Sequence, residues 1–352
     1  MKLKDLETPA LVIDELMMEE NMDRMMAMLE DTRLQLRPHY KTHKSPDLAW
    51  LQIEKGAKGI TCSKLSEAED LVNAGIYDIL IANQVVQKSK IARLAYLAGM
   101  CHMTVCVDHE ENIRNLSAAA VLAGTVIHCY VELDIGMKRC GVDSFEEFYK
   151  LAALLEELPG VTYDGIQSYA GHLAHEYDTE KREAAIDANE ERLKELIHYL
   201  EERGIKTREV SGCSTGSVYM KKHSLIYTEL QPGSYIFLDM AYRGMNTAFK
   251  NSLYVLATVV SAGPKHFVID AGMKSLSPDQ GAPGIDGMTF ESVNQSEEHT
   301  AFYGPHNLKV GDLVKVIPGH CCTTVNLYDE MYLADGDTII DRIPVVGRGK
   351  AR

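Results

Sequence analysis

Basic residues are concentrated in the segment RPHYKTHK at residues 37–44. In an extended strand, alternate side chains lie on one face. The alternate residues here are all basic or can become cationic: Arg37, His39, Lys41 and His43. Cationic neighbours and desolvation lower the pKa of a lysine, and a neutral amine can form a Schiff base with an aldehyde. We therefore expect Lys41 to act as a nucleophile. The alternative is a solvated basic loop.

A loop rich in glycine, serine and threonine (SGCSTGS) occupies residues 211–217. Backbone N–H groups and hydroxyls in such a loop can surround an anion. Barrel proteins frequently bind phosphate at the loops after strands seven and eight, and this loop follows the seventh predicted strand. The position therefore favours phosphate binding over an ordinary turn. A nucleoside triphosphate is not expected, because the chain has no G-x-x-x-x-G-K-[ST] motif.

Two other predicted strand ends carry side chains that could contact a substrate. The segment ELDIGMKRCG, after the fifth predicted strand, contains Arg139. The segment GIQSYAGHLAH, after the sixth, contains Tyr169, His172 and His175. A surface arginine and structural histidines are the ordinary alternatives. A common position at the mouth of a barrel favours a role in an active site.

A His-x-Cys pair occurs late in the chain, in the segment PGHCC. If the segment is extended, His320 and Cys322 project from one face and Cys321 from the other. An imidazole nitrogen and a soft thiolate suit Zn²⁺. Two protein ligands would leave coordination positions open, as a catalytic metal needs. The pair therefore predicts a metal site that does not include Cys321.

Short β-rich segments alternate with amphipathic helical patterns over the first 240 residues. The eight β-rich segments are residues 34–41, 59–63, 78–83, 103–108, 126–134, 163–170, 208–213 and 224–230. Such alternation is typical of parallel βαβ units. About eight units in this length favour a (β/α)8 barrel, with an open doubly wound sheet as the alternative.

After about residue 240 the sequence pattern changes, and long helical patterns are no longer present. Strand-like segments at residues 254–260, 266–269, 312–317 and 338–346 are separated by Gly, Pro and Asp turns. The predicted fold class is therefore α/β: a (β/α)8 TIM-type barrel over residues 8–240 with a C-terminal β-rich domain over residues 241–352. Residues 1–14, including an early strand at 10–14, could pair with either domain.

Composition limits the partners of the protein. The 352 residues include 36 Lys and Arg against 51 Asp and Glu, a formal net charge of −15. This balance argues against binding nucleic acid or an anionic membrane surface. No apolar run has the length of a transmembrane helix, and the first residues lack the apolar core of a signal peptide. We expect a cytoplasmic protein with reduced cysteines.

In their order along the chain, these segments resemble the D-threonine aldolase and D-serine dehydratase family. Its members are fold-type III enzymes that use pyridoxal 5′-phosphate (PLP) and have an alanine-racemase-like barrel. The resemblance extends from TPAL at residues 8–11 to PVVGRG at residues 344–349. It implies that Lys41 bonds covalently to PLP, that Arg139 lies near the 3′-oxygen of the cofactor, and that Tyr169 lies beside the pyridine ring.

The resemblance also implies the remaining site residues. The expected phosphate ligands are Ser214, Thr215, Gly216, Ser217 and Tyr235, and His39 is expected to join the cofactor site. His320 and Cys322 become the metal ligands. His175 becomes a candidate proton-transfer group, so that the expected catalytic residues are Lys41, Tyr169 and His175.

Four segments resemble the aldolase branch: GIQSY at 165–169, TELQPG at 228–233, DAGMKSLS at 270–277 and EEH at 297–299. That branch typically has His-x-Asp at the metal, whereas Cys322 resembles the dehydratases. The thiolate favours Zn²⁺ over Mn²⁺ or Mg²⁺.

The expected function is a PLP- and metal-dependent lyase acting on β-hydroxy-D-amino acids. Retro-aldol cleavage of D-threonine-type substrates to glycine and an aldehyde is favoured. The alternative is dehydration of D-serine or 3-hydroxy-D-aspartate to a 2-oxo acid and ammonia. A non-catalytic PLP-binding protein is a third hypothesis, but the C-terminal domain and the His-x-Cys pair argue against it. The expected partner is a small-molecule substrate, and the family suggests a homodimer.

Overall fold

In a computed structural model of the protein, residues 1–221, 223–245 and 247–352 are described. They form two compact units. The barrel unit comprises Met26–Lys41, Leu48–Gly233 and Lys350–Arg352, and the sheet unit comprises Met1–Met25, Thr42–Asp47 and Ser234–Gly349. The domain limits expected from the sequence, 8–240 and 241–352, stay predictions.

The strands in the described residues follow the chain. They are β1 (Ala10–Asp14), β2 (Gln35–Leu36), β3 (Ile60–Cys62), β4 (Asp78–Gln84), β5 (His102–Val107), β6 (Ile127–Glu132), β7 (Val161–Ser168), β8 (Glu209–Gly212), β9 (Glu229–Leu230), β10 (Leu253–Ala262), β11 (His266–Ile269), β12 (Gly284–Ile285), β13 (Ser292–Gln295), β14 (Thr300–Tyr303), β15 (Leu313–Ile317), β16 (Glu330–Asp335) and β17 (Thr338–Pro344).

The helices are α1 (Glu15–Leu29), α2 (Pro46–Glu54), α3 (Leu65–Asn73), α4 (Lys88–Ala98), α5 (Glu110–Ala123), α6 (Phe145–Glu157), α7 (Thr179–Glu201), α8 (Val218–Lys221) and α9 (Cys321–Val325). Short 3₁₀ turns occur at Leu3–Asp5, Tyr40–Thr42, Gly171–Leu173, Ser234–Ile236 and Met240–Tyr242. None of the helices in the described part of the chain is both long and apolar enough to cross a membrane.

The barrel unit contains eight parallel strands in the order β2-β9-β8-β7-β6-β5-β4-β3. Backbone hydrogen bonds close the sheet between its first and last strands: Lys58 N donates to Leu36 O at 2.8 Å, and Thr61 N donates to Pro38 O at 2.9 Å. All eight predicted strands are present, and the closed sheet confirms the barrel over the open alternative. Because the strands are parallel, the loops that follow them meet at one end.

Local sequence signals fix the helices that separate the strands. Ser144 precedes α6, and its Oγ accepts a hydrogen bond from Glu147 N at 3.2 Å, as an N-cap should. Gly124 ends α5 with a φ of 68°, a left-handed conformation that favours glycine. Inside the barrel, Leu80, Cys106 and Tyr130 pack together from β4, β5 and β6. These contacts fill the space between the three strands.

The sheet unit is built on a sheet with the order β13-β14-β11-β10-β1-β16-β17, in which β15 also pairs with β10 and β12. The early strand belongs to this unit, because β1 pairs antiparallel with β10 and parallel with β16. The four predicted strands of this region are confirmed. Strands β12, β13, β14 and β16 were not predicted from the sequence.

Candidate active site

A pocket lies at the carboxyl end of the barrel strands. It is lined by His39, Lys41, Ser63, Ala82, Asn83, Arg139, Cys140, Gln167, Tyr169 and Gln231. Four of the predicted site residues therefore meet in one cavity of the barrel unit: His39, Lys41, Arg139 and Tyr169. They come from three different strand ends, so the barrel itself assembles the site.

Lys41 lies in the 3₁₀ turn that follows β2. Its Nζ is 5.7 Å from the centre of the Tyr169 ring, and Cζ of Arg139 is 5.6 Å from the same centre. The Lys41 backbone N–H donates to His39 Nδ1 at 3.3 Å, and Ser63 Oγ lies 3.3 Å from His39 Nε2. An aromatic face and a fixed imidazole thus surround the lysine.

The predicted common strand face of residues 37–43 is wrong. Strand β2 ends at Leu36, and Pro38 cannot supply the N–H that a continuing ladder needs. Arg37 is instead buried, with Nε 3.0 Å from Glu229 Oε2 and Nη1 2.7 Å from Asp78 Oδ1. His43 is fully buried in the sheet unit and accepts from Ser45 N at 3.2 Å. Neither residue lines the pocket.

The serine–threonine loop after β8 is folded on itself. Ser214 N donates to Ser217 Oγ at 3.1 Å, and Ser217 N donates to Ser214 O at 3.1 Å. Cys213 before it has a φ of 78°, which turns the chain sharply out of the strand. Thr215 is 3% exposed, and its Oγ1 has no hydrogen-bond partner among the described residues.

An orphaned buried hydroxyl costs free energy unless a ligand satisfies it. This observation fits an oxyanion at the loop. Residues 214–217 lie at the same barrel end as Lys41, although they are not among the residues that line the pocket. Their role at a phosphate stays a prediction.

Tyr235 and the two histidines after β7 lie outside the pocket lining. Tyr235 is buried in the sheet unit with its ring centre 5.6 Å from that of Phe249. His172 is exposed, and its ring lies over Gly136, 3.3 Å from where a side chain on that glycine would begin. His175 is half-buried in the following turn. The predicted roles of Tyr235 and His175 stay predictions.

His320 and Cys322 do not lie on an extended segment, so that premise is wrong. His320 is the N-cap residue of α9, and Cys322 lies in its first turn. The tight turn nevertheless places the two side chains close enough to interact electrostatically. Cys322 Sγ also lies 3.3 Å from Oγ1 of Thr42, the residue after Lys41 in the chain, and 3.6 Å from Ser234 Oγ.

The electrostatics of this pair suit a metal. Hydrogen bonds with Cys321, His320 and Thr42 lower the pKa of the Cys322 thiol, against the effect of burial. Burial alone would lower the pKa of His320, but Cys322 and Asp279 raise it to about 9. Both shifts favour the charged forms of the two side chains, the thiolate and the imidazolium. A metal ion could replace the shared proton.

Asp279 was missed by the sequence analysis. Its Oδ2 lies 2.7 Å from His320 Nδ1, and its Oδ1 accepts from Thr323 Oγ1 at 2.6 Å and from Ser277 Oγ at 2.8 Å. A carboxylate behind a ligating histidine fixes the ring and leaves the other nitrogen for the metal. No local motif could have found it, because Asp279 lies 41 residues from His320 in sequence.

Gln231 and Gln167 in the pocket were also missed. Gln231 Nε2 donates to Gln167 Oε1 at 2.8 Å and to Ser211 Oγ at 2.6 Å. These bonds tie the ends of β7, β8 and β9 together beneath the cavity. Their position at strand ends was the available signal, but uncharged amides carry no motif of their own.

Family models and known proteins can now be compared with this geometry. A model described as "Alanine racemase, N-terminal domain" matches residues 13–241, and a "Putative serine dehydratase domain" matches residues 252–334. The chain belongs to the D-threonine aldolase and D-serine dehydratase family of fold-type III PLP enzymes. The family implies PLP as the cofactor and small amino acids as substrates.

Two curated relatives are aldolases. D-threonine aldolase of an Arthrobacter species is 38% identical over 99% of this chain and 95% of its own length. 3-hydroxy-D-aspartate aldolase of Paracoccus denitrificans is 37% identical over 98% of this chain and 93% of its own length.

Solved structures of this family include both reaction types. D-threonine aldolase from Filomicrobium marinum is 34% identical, with a TM-score of 0.96 over 99% of this chain and 98% of that one. D-threo-3-hydroxyaspartate dehydratase from a Delftia species is 25% identical, with a TM-score of 0.88 over 97% of this chain and 98% of that one. For this dehydratase, alanine variants of a histidine and of a cysteine two positions later were also solved, the cysteine variant in a metal-free form.

Proposed function

We propose that the protein is a PLP- and divalent-metal-dependent lyase that cleaves β-hydroxy-D-amino acids of the D-threonine type to glycine and an aldehyde. The observation that carries the proposal is Lys41 in the pocket at the barrel mouth, with Nζ facing the Tyr169 ring at 5.7 Å. The two aldolase relatives, which match nearly the whole chain, support the aldol reaction.

The residues present fit PLP. Lys41 would hold the aldehyde, Tyr169 the ring and Arg139 the 3′-oxygen. His39 would orient the turn that carries Lys41. The phosphate would lie on residues 214–217, where the unpartnered Thr215 hydroxyl supports an anion, and Tyr235 would complete that site. When bound, PLP supplies an electron sink for the bonds of the substrate α-carbon.

The donor set of the sheet unit fits a divalent metal. His320 and Cys322 would hold it, and Asp279 would orient His320 from behind. The thiolate favours Zn²⁺, with Mn²⁺ or Mg²⁺ as alternatives. When bound, the metal acts as a Lewis acid toward the substrate β-hydroxyl.

Side chains of the protein would transfer the protons, and the two reactions use different ones. In the aldol reaction, His175 would take the proton from the β-hydroxyl. The Cα–Cβ bond would then break to release the aldehyde, and a proton returned to the α-carbon would give glycine. In the dehydration, Lys41 Nζ would instead take the proton from the α-carbon. Removal of the hydroxyl proton would thus lead to cleavage, and removal of the α-carbon proton to dehydration.

The alternative function is a β-hydroxy-D-amino acid dehydratase. Cys322 favours it, because the related dehydratase also has a histidine and a cysteine two positions apart whose replacement was studied.

Product analysis with D-threonine separates the two functions. Glycine and acetaldehyde are expected, whereas 2-oxobutanoate and ammonia would overturn the aldolase proposal in favour of the dehydratase. L-threonine is the control for stereochemistry and should give neither pair of products.

The metal role is tested on the purified enzyme. EDTA should remove activity while the PLP absorbance remains, and full activity after verified metal loss would reject the role. Asp279→Asn should weaken metal binding about 10–100-fold, as loss of a hydrogen-bond partner behind a ligand does. Asp286→Asn, in an exposed loop of the same unit, is the matched control and should leave the affinity unchanged.

A further inference from the structure

A second group of metal-ligating side chains lies at the amino ends of the barrel strands, opposite to the pocket. It consists of His102, His128 and Asp164, whose ligand atoms all lie within 4.8 Å of one another. The two imidazole ring centres are 4.1 Å apart, and His128 Nδ1 hydrogen-bonds Asp164 Oδ2. Two imidazoles and one carboxylate form a typical donor set for a transition metal with open positions.

The strand register explains how these residues meet. Thr104 of β5 lies opposite His128 of β6, and His102 is two residues before Thr104, on the same face. The register shifts by one residue between β6 and β7: Cys129 pairs with Tyr163, but the next residue, Tyr130, pairs with Gly165. Asp164 is therefore the extra residue of a β-bulge. Bulges commonly re-aim a side chain, and this one places Asp164 beside His128.

A hydrogen bond from Arg208 fixes the orientation of the Asp164 carboxylate. Arg208 Nη1 donates to Asp164 Oδ1 at 2.8 Å, which leaves Oδ2 on the side of the histidines. Asp164 is 8% exposed, whereas His102 is exposed. The group therefore has a fixed buried end and an end that an ion can reach from solvent.

The surrounding charge does not oppose a cation. The described ion pairs at this end contain four carboxylates, those of Asp78, Asp164, Glu209 and Glu229. They contain three permanent cations, those of Arg37, Lys58 and Arg208. The carboxylates therefore outnumber the permanent cations by one, so the net local charge favours a cation.

We propose that His102, His128 and Asp164 bind one divalent transition-metal ion, with Zn²⁺ as the best match to the donor set. Bound there, the ion cross-links the neighbouring strands β5, β6 and β7 and stabilises the amino end of the barrel. This site is separate from the proposed metal at His320 and Cys322, so each proposal can fail without the other.

Cobalt counting on the full-length, PLP-loaded protein tests the site. After chelation and dialysis, wild-type protein should bind two Co²⁺ per chain. The variant His102→Gln/His128→Gln should bind one and keep the near-ultraviolet band of a thiolate–cobalt bond. The variant His320→Ala/Cys322→Ala should also bind one, but without that band. His198→Gln, an exposed histidine on α7, is the matched control and should bind two.

A thermal measurement tests the stabilising role. In the His320→Ala/Cys322→Ala background, Zn²⁺ should still raise Tm, since an ion that binds only the folded chain stabilises it. Adding His102→Gln to that background should abolish the rise. An unchanged metal count in His102→Gln/His128→Gln, or no Tm rise in the first background, would overturn the proposal and leave His128 and Asp164 as an ordinary ion pair.

Discussion

The two ends of the barrel both carry charged residues, but they satisfy those charges differently. At the amino end, Arg37 is 1% exposed and held by Glu229 and Asp78. At the carboxyl end, no carboxylate in the described part of the chain pairs with Lys41. The paired arginine stabilises the barrel, whereas the unpaired amine is available for chemistry. The difference between the two residues is therefore whether a neighbouring carboxylate pairs with the charged side chain.

Replacing the unpaired amine gives the largest expected effect. Lys41→Ala should abolish the visible absorbance of lysine-bound PLP and lower turnover by about 10³-fold or more, the order of a lost acid–base group. The barrel should remain folded, because Lys41 makes no ion pair with any residue that the structure describes. Absorbance and circular dichroism check this, with Lys88→Ala, an exposed lysine on α4, as the control. Retention of the PLP band in Lys41→Ala would contradict the assignment.

Replacing the paired arginine should instead affect stability. Arg37→Ala leaves Glu229 buried without its main partner, and breaking a buried pair costs about 3–5 kcal/mol. Urea denaturation measures the change in the free energy of unfolding. Arg93→Ala removes an arginine from an exposed pair with Glu69 and should cost about 0–1 kcal/mol. Equal losses in the two variants would show that the amino-end pair has no special role.

The sequence alone predicted the barrel well, because its signals are periodic. All eight strands were located from β-rich runs between helical patterns. The same pattern placed Lys41, Arg139 and Tyr169 at strand ends, and the family resemblance supplied their expected roles. Strands β13 and β14 were missed because Ser292–Gln295 and Thr300–Tyr303 are short and partly polar. A two-sided edge hairpin has no strong alternation to detect.

Local geometry and long-range partners could not be predicted. Alternation failed beyond Leu36 because the chain leaves the strand at Pro38 and then forms a 3₁₀ turn. The pairing of Arg37 with Glu229 spans 192 residues in sequence, so no spacing rule reveals it. The strands of the barrel were therefore more predictable than the long-range contacts between their side chains.

A substitution in the loop at residues 214–217, the predicted phosphate site, should give a smaller effect. Thr215→Val removes a hydroxyl but keeps the shape of the side chain. PLP affinity should fall about 10–100-fold, because a hydrogen bond to a charged group contributes about 1.5–3 kcal/mol. The free energy of unfolding of the PLP-free protein should stay equal or rise, since the buried hydroxyl has no hydrogen-bond partner within residues 1–221, 223–245 and 247–352.

Equilibrium dialysis of PLP and urea denaturation measure the two quantities. A destabilised PLP-free protein with unchanged PLP affinity would assign Thr215 to the fold instead of the site. Thr207→Val is a suitable control, because its hydroxyl bonds Tyr163 at the opposite end of the barrel.

Acid titration tests the electrostatics of the amino end. Burial would raise the pKa of Glu229, but Arg37, a hydrogen bond with Ser211 and Lys58 together lower it. Below the unfolded value of about 4.3, the unfolded chain therefore binds a proton that the native chain does not. Stability should fall as the pH falls through this window, by about 1.4 kcal/mol per pH unit for each such group, until the folded pKa is reached.

Glu229→Gln removes one such group. The variant should be less stable near pH 7, yet its stability should decline less steeply with acid than that of the wild type, by about one proton. Chemical denaturation at a series of pH values measures both slopes. Equal slopes would mean that Glu229 is not ionised in the folded barrel, and the contrast between a satisfied amino end and an unsatisfied carboxyl end would lose its electrostatic basis.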